Sequence, residues 1–548
     1  MRILNKILNM RSNLIAKSII VMTGIVACNA GSQESQSEKQ PPNILFIMSD
    51  DHAYQALSAY SDHLMETPNI DRIADDGMIF TNASVTNSIC APSRAVILTG
   101  THNHINGKIN NINDFDTSQI TFPQILHDEG YQTALFGKLH FGNNPKGFDQ
   151  FKILPGQGHY YNPDFITKYD GKIKVEGYVT DIITEMTIDW LEEERDPDKP
   201  FFLAYLHKAP HRAWLPAERH YKEFTKKTFR EPETLFDDYE GRGTAAKTAE
   251  MNILKHMTLG MDNKIDPDVL EELQIKDDKI RRYSHTVGRQ NSEQRVSWDS
   301  IYNPIIQDFK ERYPGMDNKD LMRWKYQRYM QDYLGCIAAV DEGVGEVLDY
   351  LDENDLAENT IIVYTSDQGF YLGEHGWFDK RFIYNESFKT PLLIKWPGVI
   401  EPGTKNTQMV QNLDFAPTFL SAAGIEVPEI MQGESLIPLF KGETENFRDA
   451  VYYHYYEYPG AHMVKRHYGI VTEDYKLAHF YYDIDEWELY DREKDPNEMN
   501  NVYNDHDYKE VVVQLKKDLK EIRKKYKDSK ELDQKFIDQY EKRRSGTY

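Results

Sequence analysis

Four short apolar segments share one design, in which strand-forming residues end in polar or charged side chains. Helical patterns such as IDRIADDGMIF and FPQILHDEGY lie between them. Strands that alternate with helices predict a doubly wound α/β sheet, where ligands bind beyond the carboxyl ends of the strands. The polar residues are therefore expected to meet at one edge of the sheet. The segments are NILFIMSDD (43–51), TALFGKLH (133–140), FFLAYLHKAPH (201–211) and TIIVYTSDQG (360–369).

The residues after two of these strands indicate a metal site. Asp50 and Asp51 follow the first strand, and Asp367 and Gln368 follow the last one. All four offer oxygen ligands, which suit a hard divalent cation such as calcium better than zinc. A single acidic pair is more simply interpreted as a solvated turn. Two oxygen-rich pairs, each after an apolar strand, favour the metal site.

Cations and imidazoles follow other apolar segments. Lys138 and His140 lie in GKLHFG, His211 lies in APHRAW and Lys380 lies in GWFDKRF. Each of these residues alone is a weak indication, because a lysine or histidine near a strand end is more often structural or exposed. Together they would bring positive charge and titratable groups to the expected metal edge.

The first 42 residues differ from the rest of the chain. Four basic residues and an apolar run that ends in GIVAC predict a signal peptide over 1–27, not a transmembrane span. GIVAC resembles a bacterial lipobox, in which Cys28 is lipidated and anchors the protein to the membrane. Residues 28–42 would be a flexible tether. The expected location is the periplasm or the outer membrane, and signal cleavage that yields a soluble periplasmic protein is the alternative.

The remaining chain is long enough for one large and one small domain. We expect a catalytic α/β domain over 43–430, with a charged insertion of helices and loops at about 216–327 that caps the site. A smaller subdomain over 431–548 has the aromatic, alternating texture of antiparallel strands. A helix is expected to cover this small sheet, because apolar residues recur at three- and four-residue spacing. They are Val512, Leu515, Leu519, Ile522 and Tyr526.

The chain has only three cysteines, and with Cys28 lipidated the other two would have to pair with each other or stay single. Cys28 belongs to the predicted anchor, and Cys336 lies in an amphipathic helical pattern where a small buried side chain suffices. Cys90, in NSICAPSRAVILTG, needs its own explanation. The formal net charge of −24 argues against nucleic acid as a partner, although a few focused cations can hold an anionic substrate.

The segment CAPSR followed by AVILTG resembles the C-x-P-S-R signature of the type I, formylglycine-dependent sulfatase family. The order SDD, CAPSR, GKLHFG, PH, SDQG, DK is also the order of that family, from about residue 43 to the C-terminus. The resemblance implies an alkaline-phosphatase-like α/β fold: a large mixed sheet flanked by helices, and a smaller C-terminal antiparallel sheet with a helix. SDQGFYLGEHGWFDKRF and VKRHYGI are similar to the polysaccharide-sulfatase branch that holds bacterial N-acetylglucosamine-6-sulfatases.

The resemblance implies a reaction as well. A sulfatase-maturing enzyme would oxidise Cys90 to Cα-formylglycine, also called 3-oxoalanine. One hydroxyl of its hydrate would attack sulfur, and the second would lose a proton to expel sulfate and restore the aldehyde. One Ca²⁺ would be held by Asp50, Asp51, Asp367, Gln368 and residue 90. Arg94 would stabilise the hydrate, Lys138 and Lys380 would bind sulfate, His211 would protonate the leaving alcohol and His140 would accept the hydrate's proton.

The sequence leaves several classes of substrate possible. The expected substrate is a sulfated polysaccharide or its oligosaccharides, either a glycosaminoglycan with 6-O-sulfated glucosamine or an algal polysaccharide of the ulvan type. A phosphatase or phosphonate hydrolase of the same superfamily is a further alternative, and a non-catalytic glycan-binding lipoprotein is another. The cysteine signature argues against the phosphatases, which use serine or threonine with two zinc ions. The residues predicted to touch the sugar are His375, His454, Arg466 and His467, whereas His102 and His104 receive no role.

Overall fold

The computed structural model describes residues 41–61, 63–277, 281–443 and 447–545. The predicted signal peptide, Cys28 and nearly all of the tether lie outside the described residues. The strands are β1 (Asn43–Ser49), β2 (Met78–Phe80), β3 (Ala83–Ser84), β4 (Gln132–Gly137), β5 (Gln150–Ile153), β6 (Asp164–Thr167), β7 (Gly171–Lys174), β8 (Phe201–Leu206), β9 (Thr360–Ser366), β10 (Tyr371–Leu372), β11 (Phe378–Asp379), β12 (Leu392–Lys395), β13 (Thr404–Asn406), β14 (Val410–Gln411), β15 (Ala450–Tyr455), β16 (His467–Thr472), β17 (Tyr475–Phe480) and β18 (Glu486–Asp491).

Helices occupy the segments between most strands and the C-terminal region. They are α1 (Pro68–Asp75), α2 (Cys90–Thr99), α3 (Asn103–Asn106), α4 (Phe122–Asp128), α5 (Val179–Asp189), α6 (Glu218–Phe224), α7 (Thr244–Thr248), α8 (Ile253–His256), α9 (Pro267–Glu272), α10 (Arg281–Val287), α11 (Ser292–Arg312), α12 (Asn318–Glu353), α13 (Asn385–Phe388), α14 (Phe415–Ala422), α15 (Ile437–Phe440), α16 (Lys509–Lys525) and α17 (Lys530–Arg544). Among the described residues, no helix is both long enough and apolar enough to cross a bilayer.

The large sheet has ten strands in the order β13-β2-β12-β9-β1-β8-β4-β5-β6-β7. Its centre is parallel, with Ser49 of β1 opposite Ser366 of β9 and Gly137 of β4 opposite Leu206 of β8. Both edges contain antiparallel pairs, so the sheet is mixed. The four predicted strands are β1, β4, β8 and β9, which lie side by side and end at one edge. The predicted fold class is confirmed.

Alternating side chains of β1 bury both faces of this sheet. Leu45 and Ile47 pack into a core with residues of α5 and the long helix α12. Ile44, Phe46 and Met48 pack on the opposite face, against residues of α2, α4 and α14. A strand that is buried on both faces needs a continuous apolar run, which is the pattern of NILFIM.

The small sheet is antiparallel, with β15, β16, β17 and β18 in chain order. Helix α16 covers one face, where Leu515 and Leu519 pack with Tyr452 and Ile470. This is the helix expected from the apolar spacing. The other face packs against the large-sheet body through an aromatic cluster that includes Trp377.

The segment from 216 to 327 contains α6 to α11 and the start of α12, and its described residues form no strand. A single β-bridge joins Asn252 of this segment to Trp377.

Candidate active site

The carboxyl ends of β1 and β9 bring three carboxylates together. Because Ser49 and Ser366 are in register, Asp50 and Asp367 follow adjacent parallel strands. Asp51 turns away from β1 with a φ of 67°, and its N–H donates to Asp367 Oδ1 over 3.1 Å. One oxygen of each carboxylate lies within 4.8 Å of the other two, and all three residues are fully buried.

These residues fit a hard cation. The amide of Gln368 donates from Nε2 to Asp51 Oδ1 at 2.5 Å, while its Oε1 is buried without a hydrogen-bond partner among the described residues. A buried amide oxygen without a partner costs free energy unless a ligand satisfies it. Burial and the charge of Asp50 raise the pKa of Asp367 to about 7. A divalent cation would offset both penalties, and the oxygen-only donor set suits calcium.

Cys90 begins α2 directly beside this carboxylate cluster. Ile89 before it is extended, so the chain enters the helix through a sharp change of direction. The thiol donates to Asp50 Oδ1 over 3.3 Å, and the side chain is completely buried. Burial, reinforced by the negative charge of Asp50, raises the pKa of the Cys90 thiol far above its usual range. An unmodified Cys90 is therefore a protonated thiol and a poor nucleophile.

Arg94 lies one turn further along α2 and connects two strand ends. Its Nε and Nη2 donate to Asp367 Oδ2 at 2.9 and 2.8 Å. Its Nη1 donates to the carbonyl of Lys138, which follows β4. The guanidinium thus fixes an acidic residue of the proposed metal site relative to a predicted sulfate-binding lysine.

Both predicted sulfate-binding lysines contact the acidic cluster. The ammonium of Lys138 contacts Asp50 Oδ2 and also Gln157 Oε1. The ammonium of Lys380 donates to Asp51 Oδ2 over 2.7 Å. Burial opposes the positive charge of Lys380, but the carboxylate of Asp51 outweighs it and raises the pKa of this lysine above its ordinary value.

Burial lowers the pKa of both predicted catalytic histidines, and both lie close enough to Lys138 for its charge to lower it further. His211 has Nε2 3.8 Å from Asp51 Oδ2, and its Nδ1 lies 2.6 Å from the carbonyl oxygen of Arg212. That short contact requires a proton on Nδ1, so a proton on Nε2 makes the ring an imidazolium. Burial and the charge of Lys138 lower the pKa of His140 to about 2. His140 is therefore a neutral base.

A cavity of about 570 Å³ opens above these residues. Its lining includes the basic side chains of Lys208, Arg212, Lys380 and Arg381, together with His211 and His462. Burial, together with the charge of Lys138, lowers the pKa of Lys208 to about 7. Such a concentration of basic side chains in one cavity suits an anionic substrate.

Asp379 is the acidic side chain within this basic lining. It accepts from Arg381 Nε at 3.0 Å, and its Oδ2 lies 3.3 Å from His462 Nε2. Burial would raise the pKa of Asp379, but His462, Lys380 and Arg381 hold it well below the usual range. Arg381 also donates to Glu457 Oε1 over 3.1 Å, which ties the cavity to the small sheet.

Several residues that line the cavity were not predicted from the sequence. Lys208 and Arg212 lie in HKAPHR, and Asp379 and Arg381 lie in FDKRF, next to residues that were assigned. Their position next to the assigned residues is the sequence feature that could have identified them. His462 lies in the connection between β15 and β16, where no motif marked it.

Three of the four predicted sugar contacts are buried away from this cavity. His375 accepts from Arg242 Nη1 over 2.8 Å, and its Nε2 lies 3.6 Å from Glu386. The ring nitrogens of His454 lie 2.9 Å from Asp528 and 2.7 Å from the hydroxyl of Tyr481. His467 is fully buried and stacks against Phe480. None of the three lines the cavity beside Cys90.

Arg466, the fourth predicted contact, lines a different cavity.

The two histidines that received no role from the sequence, His102 and His104, both contact Tyr526. His102 packs against Tyr526 with ring centroids 4.3 Å apart, and His104 Nε2 lies 2.8 Å from the carbonyl oxygen of the same tyrosine.

Comparison with protein families finds two matches in this chain. The family model described as Sulfatase matches residues 42–425, and the model described as N-sulphoglucosamine sulphohydrolase, C-terminal matches residues 373–525. The chain is 47% identical over 527 residues to N-acetylglucosamine-6-O-sulfatase of Bacteroides thetaiotaomicron, covering 95% of this chain and 92% of the relative. It is 24% identical over 531 residues to Ulvan-active sulfatase of Formosa agariphila, covering 93% and 88%.

Solved structures agree with these matches. One structure, of a protein in complex with its substrate D-glucosamine-2-N,6-O-disulfate, superposes with a TM-score of 0.85 at 48% identity. The superposition covers 90% of this chain and 99% of that one. Phosphonate monoester hydrolase of Silicibacter pomeroyi has a TM-score of 0.64 at 19% identity, with 88% and 96% covered. The latter likeness shows the shared fold alone.

Proposed function

The chain belongs to the sulfatase family and is a sulfuric ester hydrolase, and on that premise we propose that it removes 6-O-sulfate from glucosamine units of sulfated glycans. The observation that carries the proposal is the 47% identity, over nearly the whole chain, to an N-acetylglucosamine-6-O-sulfatase. The 24% identity to an ulvan-active sulfatase gives less support to an algal substrate.

Residue 90 is proposed to act as Cα-formylglycine, formed from Cys90 by a sulfatase-maturing enzyme. The burial and raised pKa of the thiol support a modified side chain, because the unmodified group would stay protonated at neutral pH. A hydrated aldehyde offers two hydroxyls on one carbon, so a sulfated intermediate can break down without attack by water at sulfur.

Asp50, Asp51, Asp367 and Gln368 are proposed to hold one calcium ion. When bound, calcium supplies positive charge that favours an ionised hydroxyl at residue 90 and attracts a sulfate oxygen. Arg94 keeps Asp367 in place through two contacts from its guanidinium.

The basic side chains around residue 90 are proposed to stabilise charge on the sulfate during transfer. Lys138 and Lys380 each contact one of the acidic residues, so their ammonium groups are already positioned when substrate arrives. Preorganised cations stabilise developing charge without reorganisation at the moment of reaction. Lys208 lines the cavity together with Lys380, and with a pKa of about 7 it is only partly protonated at neutral pH.

The two histidines are proposed to move protons on opposite sides of the reaction. His211 lines the cavity and is placed to protonate the leaving sugar oxygen through Nε2. His140 contacts Gln157, with 3.4 Å between the two Nε2 atoms, and its lowered pKa keeps the ring neutral, which is the form from which a proton acceptor starts.

Asp379, Arg381 and His462 are proposed to hold the sugar itself. They lie on the cavity wall and contact one another, which fixes their donor and acceptor groups before substrate binds. The cavity volume of about 570 Å³ lies in the range of small-molecule sites.

Sulfate release from a panel of defined sugars tests the proposed activity. We expect release from glucosamine 6-sulfate, N-acetylglucosamine 6-sulfate and the 2-N,6-O-disulfate, and little from ulvan oligosaccharides. The reverse preference would move the assignment to the algal alternative.

Mass spectrometry of the peptide around position 90 tests the modification, and we expect a CHO group in place of CH₂SH.

We also propose that the protein is exported and anchored through a lipid on Cys28. The support is the basic, apolar and small-residue order of residues 1–28. Replacement of Cys28 by alanine should move the protein from the membrane fraction to the soluble periplasmic fraction, and an unchanged distribution would argue against the anchor.

A further inference from the structure

A second cavity, of about 400 Å³, lies between α17, the β15–β16 connection and residues 109–113. Four aromatic residues form much of its wall, and three arginines join them. The aromatic residues are Tyr456, Tyr458, Phe536 and Tyr540, and the arginines are Arg466, Arg543 and Arg544. Asn111 donates its N–H to Glu457, a residue of this wall, and itself lines the cavity beside Cys90. The two cavities are therefore neighbours.

Arg466 is buried in this second cavity without a compensating charge. Its side chain is 2% exposed, its Nε donates to the carbonyl of Tyr458, and its Nη1 has no hydrogen-bond partner among the described residues. No described carboxylate forms an ion pair with it. Arg523, by contrast, is buried beside Asp528 and Asp533 at 3.5 and 2.8 Å. A buried and unpaired guanidinium is costly, and an anion from outside would offset that cost.

The surroundings of Arg466 hold its guanidinium in place. The group lies 5.6 Å from the ring centroid of Tyr482 and 5.7 Å from that of Tyr540. Glu457, the acidic residue of the wall, is already bonded to Arg381 and to the backbone of Asn111. The cavity therefore combines net positive charge with aromatic surface.

We propose that this cavity is a second binding site for an anionic sugar unit, in which Arg466 binds a sulfate or carboxylate group. A guanidinium forms strong, directional hydrogen bonds to oxyanions, and aromatic rings pack against the apolar faces of sugar rings. The choice of a sugar as the ligand rests on the proposed function. Such a site would bind another unit of the same glycan, outside the catalytic cavity.

Binding of a fully sulfated heparin tetrasaccharide to the complete chain tests the proposal. Calorimetry is done with Cys90→Ala protein, so that turnover does not interfere, and with excess glucosamine 6-sulfate to fill the catalytic cavity. We expect the tetrasaccharide to bind under these conditions, and Arg466→Gln to weaken binding by about tenfold or more. Arg543→Gln, at an exposed position on the same wall, should weaken it by about threefold.

Arg312→Gln is the matched control, because Arg312 is exposed on α11 and pairs with Asp308. This variant should bind like the parent. If folded Arg466→Gln protein binds within about twofold of the parent, or if the parent does not bind at all, the proposal is wrong. If Arg466→Gln does not fold, an unchanged affinity of Arg543→Gln overturns it instead.

Two modified tetrasaccharides distinguish the anions. Weaker binding of a desulfated form assigns the contact to sulfate, and weaker binding of a carboxyl-reduced form assigns it to carboxylate. Full binding of both forms overturns the proposal. Because turnover is absent from this experiment, its result is independent of whether the chain releases 6-O-sulfate.

Discussion

At the scale of single residues, the position of Cys90 is set by its immediate neighbours. The thiol is buried, and its hydrogen bond to Asp50 joins α2 to the end of β1. Gln368 Nε2 lies 3.7 Å from the same sulfur, so the ends of β1, β9 and α2 meet at one atom. Any change at residue 90 therefore acts directly on the acidic cluster.

Cys90→Ser should abolish sulfate release while leaving the fold intact. Serine is close in size to cysteine and can donate to Asp50, but it has one hydroxyl and cannot restore an aldehyde. We expect kcat to fall by about a thousandfold or more. Sulfate release and a circular dichroism melt measure the two effects, and near-normal turnover would refute the formylglycine mechanism.

His211→Ala should affect poor leaving groups more than good ones. A sugar alcohol needs a proton as it leaves, whereas an activated phenol leaves as an anion. We expect kcat/KM to fall by about 10²-fold or more for glucosamine 6-sulfate and far less for an activated aryl sulfate. Equal losses on the two substrates would remove His211 from the general-acid role.

Several site residues could be predicted from the sequence because they directly follow strands. Asp50, Lys138 and Asp367 each come after an apolar run, and parallel strands bring such positions to one edge. His462 could not be predicted in this way. It enters the cavity from the small sheet, and its place depends on how that sheet packs against the larger one.

At the scale of secondary structure, the backbone at the end of β4 lies very close to the backbone of β8. Gly137 has a φ of +113°, and a Cβ at this position would lie 1.8 Å from the carbonyl oxygen of Leu206 in β8. Lys138 follows directly and donates its N–H to the same oxygen over 2.9 Å. A glycine here allows β4 to deliver the lysine to the acidic cluster.

Gly137→Ala should destabilise the protein and disturb Lys138. The strained φ and the backbone clash together should cost about 2–4 kcal/mol, measured as a lower thermal unfolding temperature and a lower kcat. Gly315→Ala is the control, because a Cβ there meets no atom within 4 Å. Equal stability of the two variants would contradict the close approach of β4 and β8.

The contact between α1 and α12 should make stability depend on pH. Asp341 of α12 accepts from the N–H groups of Asn69 and Ile70 at 3.1 and 2.9 Å, at the start of α1. Burial nevertheless raises its pKa to about 6. The folded state binds this proton more tightly than the unfolded chain does. The stabilisation is therefore complete below the unfolded pKa of about 3.9 and is lost as pH rises through about 6.

Asp341→Asn removes the titrating group and keeps an oxygen that can accept hydrogen bonds from the N–H groups at the start of α1. Compared with the variant, the parent should gain about 2 kcal/mol of unfolding free energy between about pH 7.5 and about pH 4.5. Denaturant titrations at the two pH values measure the difference. A constant difference between parent and variant would show that Asp341 does not titrate in this range.

At the scale of the whole molecule, the cavity beside Cys90 is built by both sheets. The large sheet supplies Lys208 and His211, which follow β8, whereas the β15–β16 connection supplies His462. The basic cavity could not be predicted from the net charge, because the value of −24 is a sum over the whole sequence. Strand and helix patterns could predict each sheet by itself. They could not predict the packing of one sheet against the other, which depends on aromatic contacts such as those of Trp377.

Removal of metal should lower both activity and stability. Three buried carboxylates repel one another, and a bound cation would stabilise the folded chain by about 2.7 kcal/mol at a hundredfold excess over its Kd. Chelation should therefore lower the melting temperature and abolish sulfate release. We expect calcium to restore both and zinc to restore neither. A melting temperature unaffected by chelation and by added calcium would argue against the site.

The burial of Cys90 also sets an order of events during protein synthesis. The residues that enclose the thiol include Asp367, Gln368 and Lys380, which leave the ribosome long after Cys90 does. Once they are in place, the cysteine side chain has no exposed surface. An enzyme that modifies this cysteine must therefore act on the nascent or unfolded chain, and a protein that folds before that encounter would be locked in an inactive form.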